Sequence, residues 1–301
     1  MDKQLRGSIV SFIGVSFYAF DSLLLAMSGA AGFTAGFWRG FFTFISLGIA
    51  FIISTKGKPF AVLAKYGLPM LFSGAMLGLA GAMYSFSISY GGTSISLVML
   101  SLNPILTAFF CYIFLKEKPS KHTVVIMFIC LFAVIYMFWD GIKNGNVLGY
   151  LIALVVPIAL ALNMTNLRRF PDLPRIGVSM IGGLVTAIIG LVVSMGNLKV
   201  PGNGLIYLAL LGIIIIPVGQ VMITTGTKYA KAATISLINS LESIFGLIYV
   251  WIFMGTIPSV NCLIGGSIIM LSVVMNIIFD AKAFSDEQIY IKTEQKGIGL
   301  Q

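Results

Sequence analysis

The sequence predicts an all-α membrane protein whose ten transmembrane helices form two inverted five-helix repeats. Composition, the placement of charge and an internal repeat carry this expectation. Of 301 residues, 58% are hydrophobic and 10% charged, with a mean hydropathy of +1.01, whereas a soluble domain carries about 25% charge. A water-soluble fold cannot hide that much apolar surface, which excludes the soluble enzyme classes. A bilayer core about 30 Å thick takes roughly 20 apolar residues per helix, so the chain can supply about ten crossings with short connections.

Apolar stretches broken by charge clusters or Gly/Pro punctuation set the spans. The first, 7–28, follows the basic segment Met1–Arg6 and stops at Gly29. The second, 34–55, ends at Lys56-Gly57-Lys58-Pro59, and the third, 67–88, lies between Lys65 and Gly91-Gly92. The fourth, 92–115, ends at Lys116-Glu117-Lys118-Pro119, and the fifth, 121–139, at Asp140-Gly141. The sixth, 147–168, closes on Arg168-Arg169, and the seventh, 174–196, runs from Pro174 to Gly196. The eighth, 203–227, precedes Lys228; the ninth, 231–254, runs from Lys231 to Gly255; the tenth, 259–280, follows Pro258. No linker separates soluble domains, so the expected division is a first repeat at 1–145, a second at 146–280 and a polar cytoplasmic tail at 281–301. A cleaved signal peptide ending near Ser28-Gly29-Ala30 is the competing reading of the first span. That span is long for a signal core, contains Asp21, and is needed by the internal symmetry.

Ten spans put both termini on one side. Only Lys143 and Lys199 fall on the other side and Arg39 lies within a span, so the remaining sixteen of the 19 basic residues share the side of the termini. The positive-inside rule makes that side cytoplasmic, in a plasma membrane, and the formal +9 becomes a matter of orientation rather than of nucleic-acid binding. Cys111, Cys130 and Cys262 sit singly in apolar runs, which favours small core residues over disulfides or a zinc site.

Tyr90–Ser120 aligns with Tyr229–Ser259 at an offset of 139, bringing Ser101 over Ser240, Leu102 over Leu241, Phe114 over Phe253 and Pro119 over Pro258. Charge swaps ends between the copies: Lys116-Glu117-Lys118 matches Gly255-Thr256-Ile257, and Gly92 matches Lys231. With an odd number of spans per half, the second half must run upside down, so its basic residues move to the other end of each repeat. Inverted halves can exchange conformations and open a midplane site to either side, although duplication can also merely build a stable bundle.

Tyr90-Gly91-Gly92-Thr93-Ser94 running to Ser101-Leu102-Asn103-Pro104, then Phe114-Leu115-Lys116-Glu117-Lys118-Pro119, resembles the drug/metabolite transporter superfamily in its ten-helix EamA-type branch. The second copy, Tyr229-Ala230-Lys231 through Phe253-Met254-Gly255, and Arg39 in Phe37-Trp38-Arg39 are similar too. The resemblance spans about Gly7 to Asp280. It implies a central cavity, a more peripheral last helix in each repeat, and alternating access for amino acids, nucleobase-like and sugar-like metabolites, quaternary amines or drugs. The loss of the Lys-Glu pair at Gly255-Thr256 follows from topology.

Ionisable groups at bilayer depth are costly unless paired or hydrated. Glu242 falls mid-span in the ninth helix, opposite Asn103 in the repeat, and Asn103 precedes Pro104, which frees a backbone carbonyl. Glu242 is read as a substrate-amine or proton site, the alternative being a hydrogen-bonded packing carboxyl. Asp21 and Arg39 lie roughly 8–10 Å below the outer ends of consecutive antiparallel helices and can form a structural ion pair, a gate, or a substrate contact. Pro157, Asn163 and Asn166 in the sixth span and Pro217 and Gln220 in the eighth mark broken helices that face a cavity or bond to neighbouring helices. Tyr18, Tyr84 and Trp38 are candidate aromatic walls for a cation. Trp139 and Trp251 read as an interfacial belt, and Gly74, Gly78 and Ala82 as a close-packing face.

The expected function is a secondary exporter or exchanger of small organic metabolites such as amino acids or related amphipathic compounds, with protons as a candidate coupling ion. The expected partners are a small-molecule substrate and the lipid bilayer, with no nucleic acid, no cofactor and no metal, and the chain working as a monomer or homodimer. No nucleotide-binding loop is present to support a pump. The other class considered is an integral membrane lipid- or metabolite-modifying enzyme, which would need clustered acids or histidines; the only histidine, His122, falls in a cytoplasmic turn.

Overall fold

The computed structural model describes residues 3–116, 121–143, 147–226, 229, 235, 238, 239, 241–255, 260, 261, 263–272, 274, 275 and 279. Every regular element among them is helical. Seven helical stretches are long and apolar enough to cross a bilayer: Arg6–Met27, Gly32–Ser54, Pro59–Gly91, Thr93–Leu115, Val147–Arg169, Arg175–Val193 and Gly204–Gly226. They overlap the first four spans and the sixth to eighth spans read from the sequence. The fifth coincides with a helix at Lys121–Lys143, and the ninth and tenth contain shorter helices, Leu241–Met254 and Leu263–Ser272. The first turn of the ninth span, Cys262, and the tail at 281–301 lie outside the described residues.

Several spans are built from two pieces, and each break has a local cause. The first consists of α1 (Lys3–Tyr18) and α2 (Phe20–Met27), joined at Ala19, which keeps helical dihedrals and donates its N–H to the Val15 carbonyl. The second is α3 (Gly32–Ser54). The third, α4 (Pro59–Gly91), bends at Gly67, whose φ of 43° and ψ of −129° suit only a residue without Cβ. The fourth divides into α5 (Thr93–Leu100) and α6 (Asn103–Leu115), with Pro104 in the first turn of α6, where a missing N–H costs nothing. Helices α7 (Lys121–Lys143), α8 (Val147–Arg169) and α9 (Arg175–Val193) follow. In the eighth span, α10 (Gly204–Leu210) widens into a π-turn at Leu211–Ile215 before α11 (Ile216–Gly226), with Pro217 just beyond the wide turn. Helices α12 (Leu241–Met254) and α13 (Leu263–Ser272) complete the described bundle.

Helices α3 and α9 cross at the centre. A Cβ on Gly40 would lie 2.5 Å from the Ala187 nitrogen and 2.6 Å from the Gly183 carbonyl oxygen, and one on Gly190 would run into the backbone of Phe37. Helix α4 lays its small-residue face on α9: a Cβ on Gly78 would meet Val185 and the Gly182 carbonyl, and one on Gly74 would meet Ile181. Thr186 Oγ1 donates across this interface to the Gly78 carbonyl at 2.9 Å. In lipid, where apolar side chains gain nothing by leaving the solvent, such close backbone approach and interhelical hydrogen bonding hold helices together.

The interfaces come in duplicate. Helix α4 packs on α8, and α11 packs on α1; a shift of 139 residues carries α4 onto α10–α11 and brings α8 into line with α1. Helix α7 sits at the edge, with Val125, Phe128, Leu131 and Phe132 exposed, as suits a lipid-facing surface. Cys111 and Cys130 are buried among core residues.

Replacing Gly40 by Leu should overpack the α3–α9 crossing by about 1–3 kcal/mol or more, lowering the unfolding temperature and the yield of folded protein. Gly48→Ala, whose Cβ would sit 4.0 Å from the Met180 sulfur, should leave both unchanged, as read by thermal unfolding of the purified chain in detergent.

Candidate functional site

Arg39 projects from α3 beside the crossing. Its guanidinium meets four groups: Nη1 donates to the Gly81 carbonyl at 2.9 Å, Nη2 donates to the Tyr18 hydroxyl at 3.2 Å and pairs with Asp21 Oδ2, and its Cζ lies 5.6 Å from the centre of the Tyr84 ring. Gly81 makes this possible, because a Cβ there would stand 3.3 Å from Arg39 Nη1 and 2.8 Å from Thr186 Oγ1. A planar fork of five donors serves a carboxylate, a carbonyl and a phenol at once and leaves Nε without a partner among the described residues. The pair is buried on both sides, with side-chain exposures of 5% and 1%, so desolvation is offset only because these other contacts share the charge.

Glu242 enters from the opposite repeat, in the first turn of α12. It is 3% exposed and within electrostatic reach of Asp21 and Arg39. One turn on, Gly246 brings α12 against α2 and α5: a Cβ there would lie 2.8 Å from Ser22 Oγ and 2.9 Å from Leu97 Cδ2. The site thus holds two carboxyls and one guanidinium.

These residues line a single central cavity with about 60 Å³ of free volume, room for a few waters. Its walls show the repeat. Asp21 and Leu160, Gly40 and Ser179, Thr43 and Gly182, Leu77 and Ile216, Gly81 and Gln220, Tyr84 and Ile223, and Leu100 and Asn239 all line it, and each pair stands 139 positions apart. The offset found in the sequence relates the two sides of one cavity. Five of the eleven buried side-chain polar atoms without a partner among the described residues, Asp21 Oδ1, Arg39 Nε, Thr43 Oγ1, Tyr84 Oη and Ser179 Oγ, belong to residues that line it. Buried polar atoms are nearly always satisfied, so these five unmet groups equip its wall to receive polar groups.

Of the residues singled out from the sequence, Tyr18, Asp21, Arg39, Tyr84, Gln220 and Glu242 line this cavity, whereas Trp38, Asn103 and Asn163 do not. Trp38 Nε1 donates to the Leu198 carbonyl at 3.0 Å, and Thr34 Oγ1 donates to Asn197 O at 2.8 Å. Together they hold the 194–203 connection against the start of α3. Asn103 Oδ1 accepts from Thr107 at 3.3 Å, because the break before α6 turns that side chain along its own helix. Asn163 is buried on α8 with both amide atoms unpartnered, away from the cavity lining. Asn166 Nδ2 donates to the Pro69 carbonyl and to Ser73 Oγ, both at 2.8 Å, which is helix packing. Sequence reasoning missed Thr43, Ser179 and Thr186, which also line the cavity; extending the 139-residue offset into the second and seventh spans pairs Thr43 with Gly182 and Gly40 with Ser179. Among the described residues, no group of three or more His, Cys, Asp or Glu is placed to hold a metal.

A bundle of bilayer-length helices closed around a charged central cavity is the build of a membrane transport protein. The family model described as the EamA-like transporter family matches residues 5–139 and again 145–278, and the chain belongs to that family. It is therefore a multi-span membrane protein whose family transports small compounds, and it carries two EamA repeats. No curated protein matches it. A crystal structure described only as that of a protein matches with a TM-score of 0.68 at 16% identity, over 91% of this chain and 98% of that one, a likeness of fold alone.

Removing one partner of a buried pair strands the other charge, at about 3–5 kcal/mol. Asp21→Asn should therefore lower the unfolding temperature markedly, and the double variant Asp21→Leu/Arg39→Met should recover at least half of the loss. Trp38→Phe should leave global stability almost unchanged while raising amide hydrogen exchange at residues 195–200, measured by mass spectrometry.

Proposed function

We propose that the chain is a secondary active exporter or exchanger of small organic metabolites, amino acids or related amphipathic amines foremost, and that it opens its central cavity to the two membrane faces in turn. The observation that carries this reading is a second buried carboxyl, Glu242, beside the Asp21–Arg39 pair, inside a cavity whose walls repeat at a 139-residue spacing. With both acids ionised the cavity carries one uncompensated negative charge. A substrate ammonium would satisfy Glu242 through a charge-assisted hydrogen bond, and a substrate carboxylate would compete with Asp21 for Arg39. Tyr18 and Tyr84 offer aromatic faces to the same cation. In the absence of substrate, Glu242 is the group best placed to take up a proton, which would couple flux to a proton gradient.

The free volume of about 60 Å³ is smaller than the few hundred Å³ of an ordinary ligand pocket, so substrate entry requires the halves to part. Duplicate α4–α8 and α1–α11 interfaces can exchange roles between the two halves, which is the mechanical basis of alternating access in inverted repeats. The same reading takes 1–145 and 146–280 as the two repeats, 281–301 as a cytoplasmic tail, and both termini as cytoplasmic in the plasma membrane.

The test is flux into proteoliposomes containing the purified full chain, over a panel of amino acids, amines, nucleobases and sugars first screened by ligand-induced thermal shift. Amino acids or amines should move under a substrate or proton gradient. Glu242→Gln should cut that flux at least tenfold, the scale of one charge-assisted contact, while keeping its unfolding temperature. No flux of any compound under either gradient, or full flux in a folded Glu242→Gln variant, would overturn the reading.

A further inference from the structure

A second cavity opens sideways at the end of the bundle where α4 begins and α6 and α8 end. Its volume is about 390 Å³, several times that of the central cavity, and its walls include Leu68 and Phe72 of α4, Phe114 of α6, and Leu162 and Arg169 of α8, with Phe170 beyond. The bend at Gly67 creates it. There α4 kinks one residue before Leu68, and Asn166 pins the Pro69 carbonyl and Ser73 Oγ, holding the start of the membrane-crossing part of α4 against α8.

The walls are apolar and unburied: Leu68 is 78% exposed, Phe114 54% and Phe72 40%. The lining includes one cation, Arg169. The Arg169 guanidinium lies 5.5 Å from the centre of the Phe170 ring. Lys116 caps α6 two residues beyond Phe114, and Lys65 extends over the ring of Tyr66, one turn before Leu68. Asp172, on the turn after Arg169, interacts with Arg175 instead.

An apolar trough with an arginine at its helix end matches neither a water-soluble metabolite, which the phenyl and leucyl walls would not solvate, nor an uncharged lipid, for which the cation is superfluous. Basic pockets between transmembrane helices take anionic head groups. We infer that this crevice is a binding site for an anionic phospholipid, one acyl chain lying along Leu68, Phe72, Phe114 and Leu162 and the phosphate resting on Arg169. A chain seated there would fill the wedge behind the bent helix and brace α4 against α6. The central cavity and its charges take no part, so this inference stands or falls apart from the transport reading.

The test uses the full chain with Leu68→Trp as reporter, a substitution at an exposed position, reconstituted in vesicles whose phosphatidylglycerol or phosphatidylcholine carries dibrominated chains, with the unmodified protein subtracted as background. Dibrominated phosphatidylglycerol should quench the new tryptophan as strongly as phosphatidylcholine does at about one-fifth of the mole fraction, the preference expected of one interfacial cation. Adding Arg169→Gln should erase that preference, and millimolar inorganic phosphate should leave it intact. Equal quenching by the two lipids would identify ordinary surrounding lipid and overturn the proposal. So would a preference that survives Arg169→Gln, or one that inorganic phosphate abolishes, which would make the site one for a free anion. If Leu68→Trp fails to fold, Phe114→Trp on the opposite wall reports the same contact.

Discussion

Helices α3 and α9 approach until their backbones touch, and the rest of the bundle is arranged around that contact. Gly40, Gly183 and Gly190 each lack the room for a Cβ, and their equivalents in an ordinary apolar helix would hold the two halves several ångströms further apart. The same crossing places Gly40 and Thr43 on one wall of the cavity and Ser179, Gly182 and Gly183 on the other. Arg39, the residue beside Gly40, is delivered to the midline by it. The π-turn in the eighth span seals the flank, since a Cβ on Gly212 would lie 2.6 Å from Phe42 Cβ and 2.8 Å from the Arg39 carbonyl oxygen. Small residues at the crossing therefore do two things: they supply dispersion contact between backbones where no hydrophobic driving force exists, and they leave the space that the charged groups occupy.

The scaffold is symmetric and its chemistry is not. Leu77 and Ile216 are equivalent and alike, but Asp21 stands opposite Leu160 and Tyr84 opposite Ile223, and the partner position of Glu242 is Asn103. Duplication provides two interfaces at equivalent places, whereas recognition of an asymmetric small molecule needs unlike walls. The buried Asp21–Arg39 pair sits between these demands. It fixes α2 against α3, yet one carboxylate oxygen and one guanidinium nitrogen remain unpartnered in the cavity, so the pair is not closed to a third group.

Much of the fold was legible in the sequence, because residence in a bilayer is written in local terms. The length of an apolar run states that a helix can cross, and Gly, Pro and clustered charge mark where it stops. The bend at Gly67 falls where the third span begins, and the break before Asn103 falls at the Asn-Pro step. Depth is equally readable at about 1.5 Å per residue, which is why Asp21 and Arg39, at matching depths on consecutive helices, meet in the structure.

What the sequence by itself determined is that this chain belongs in a membrane, where its seven long apolar helices lie, that it repeats at 139 residues, and which polar groups those helices carry. Which way those groups face was decided only by the tertiary structure. A helix that is apolar all round carries no stripe to report its inward side, so Trp38, Asn103 and Asn163 looked as suitable as Tyr18, Tyr84 and Gln220. Packing separated them: Trp38 turned to the Leu198 carbonyl, Asn103 to Thr107 on its own helix, and Thr43 and Ser179, unremarkable as sequence, to the cavity. Azimuth around a buried helix is set by its neighbours, and the neighbours exist only once the chain has folded.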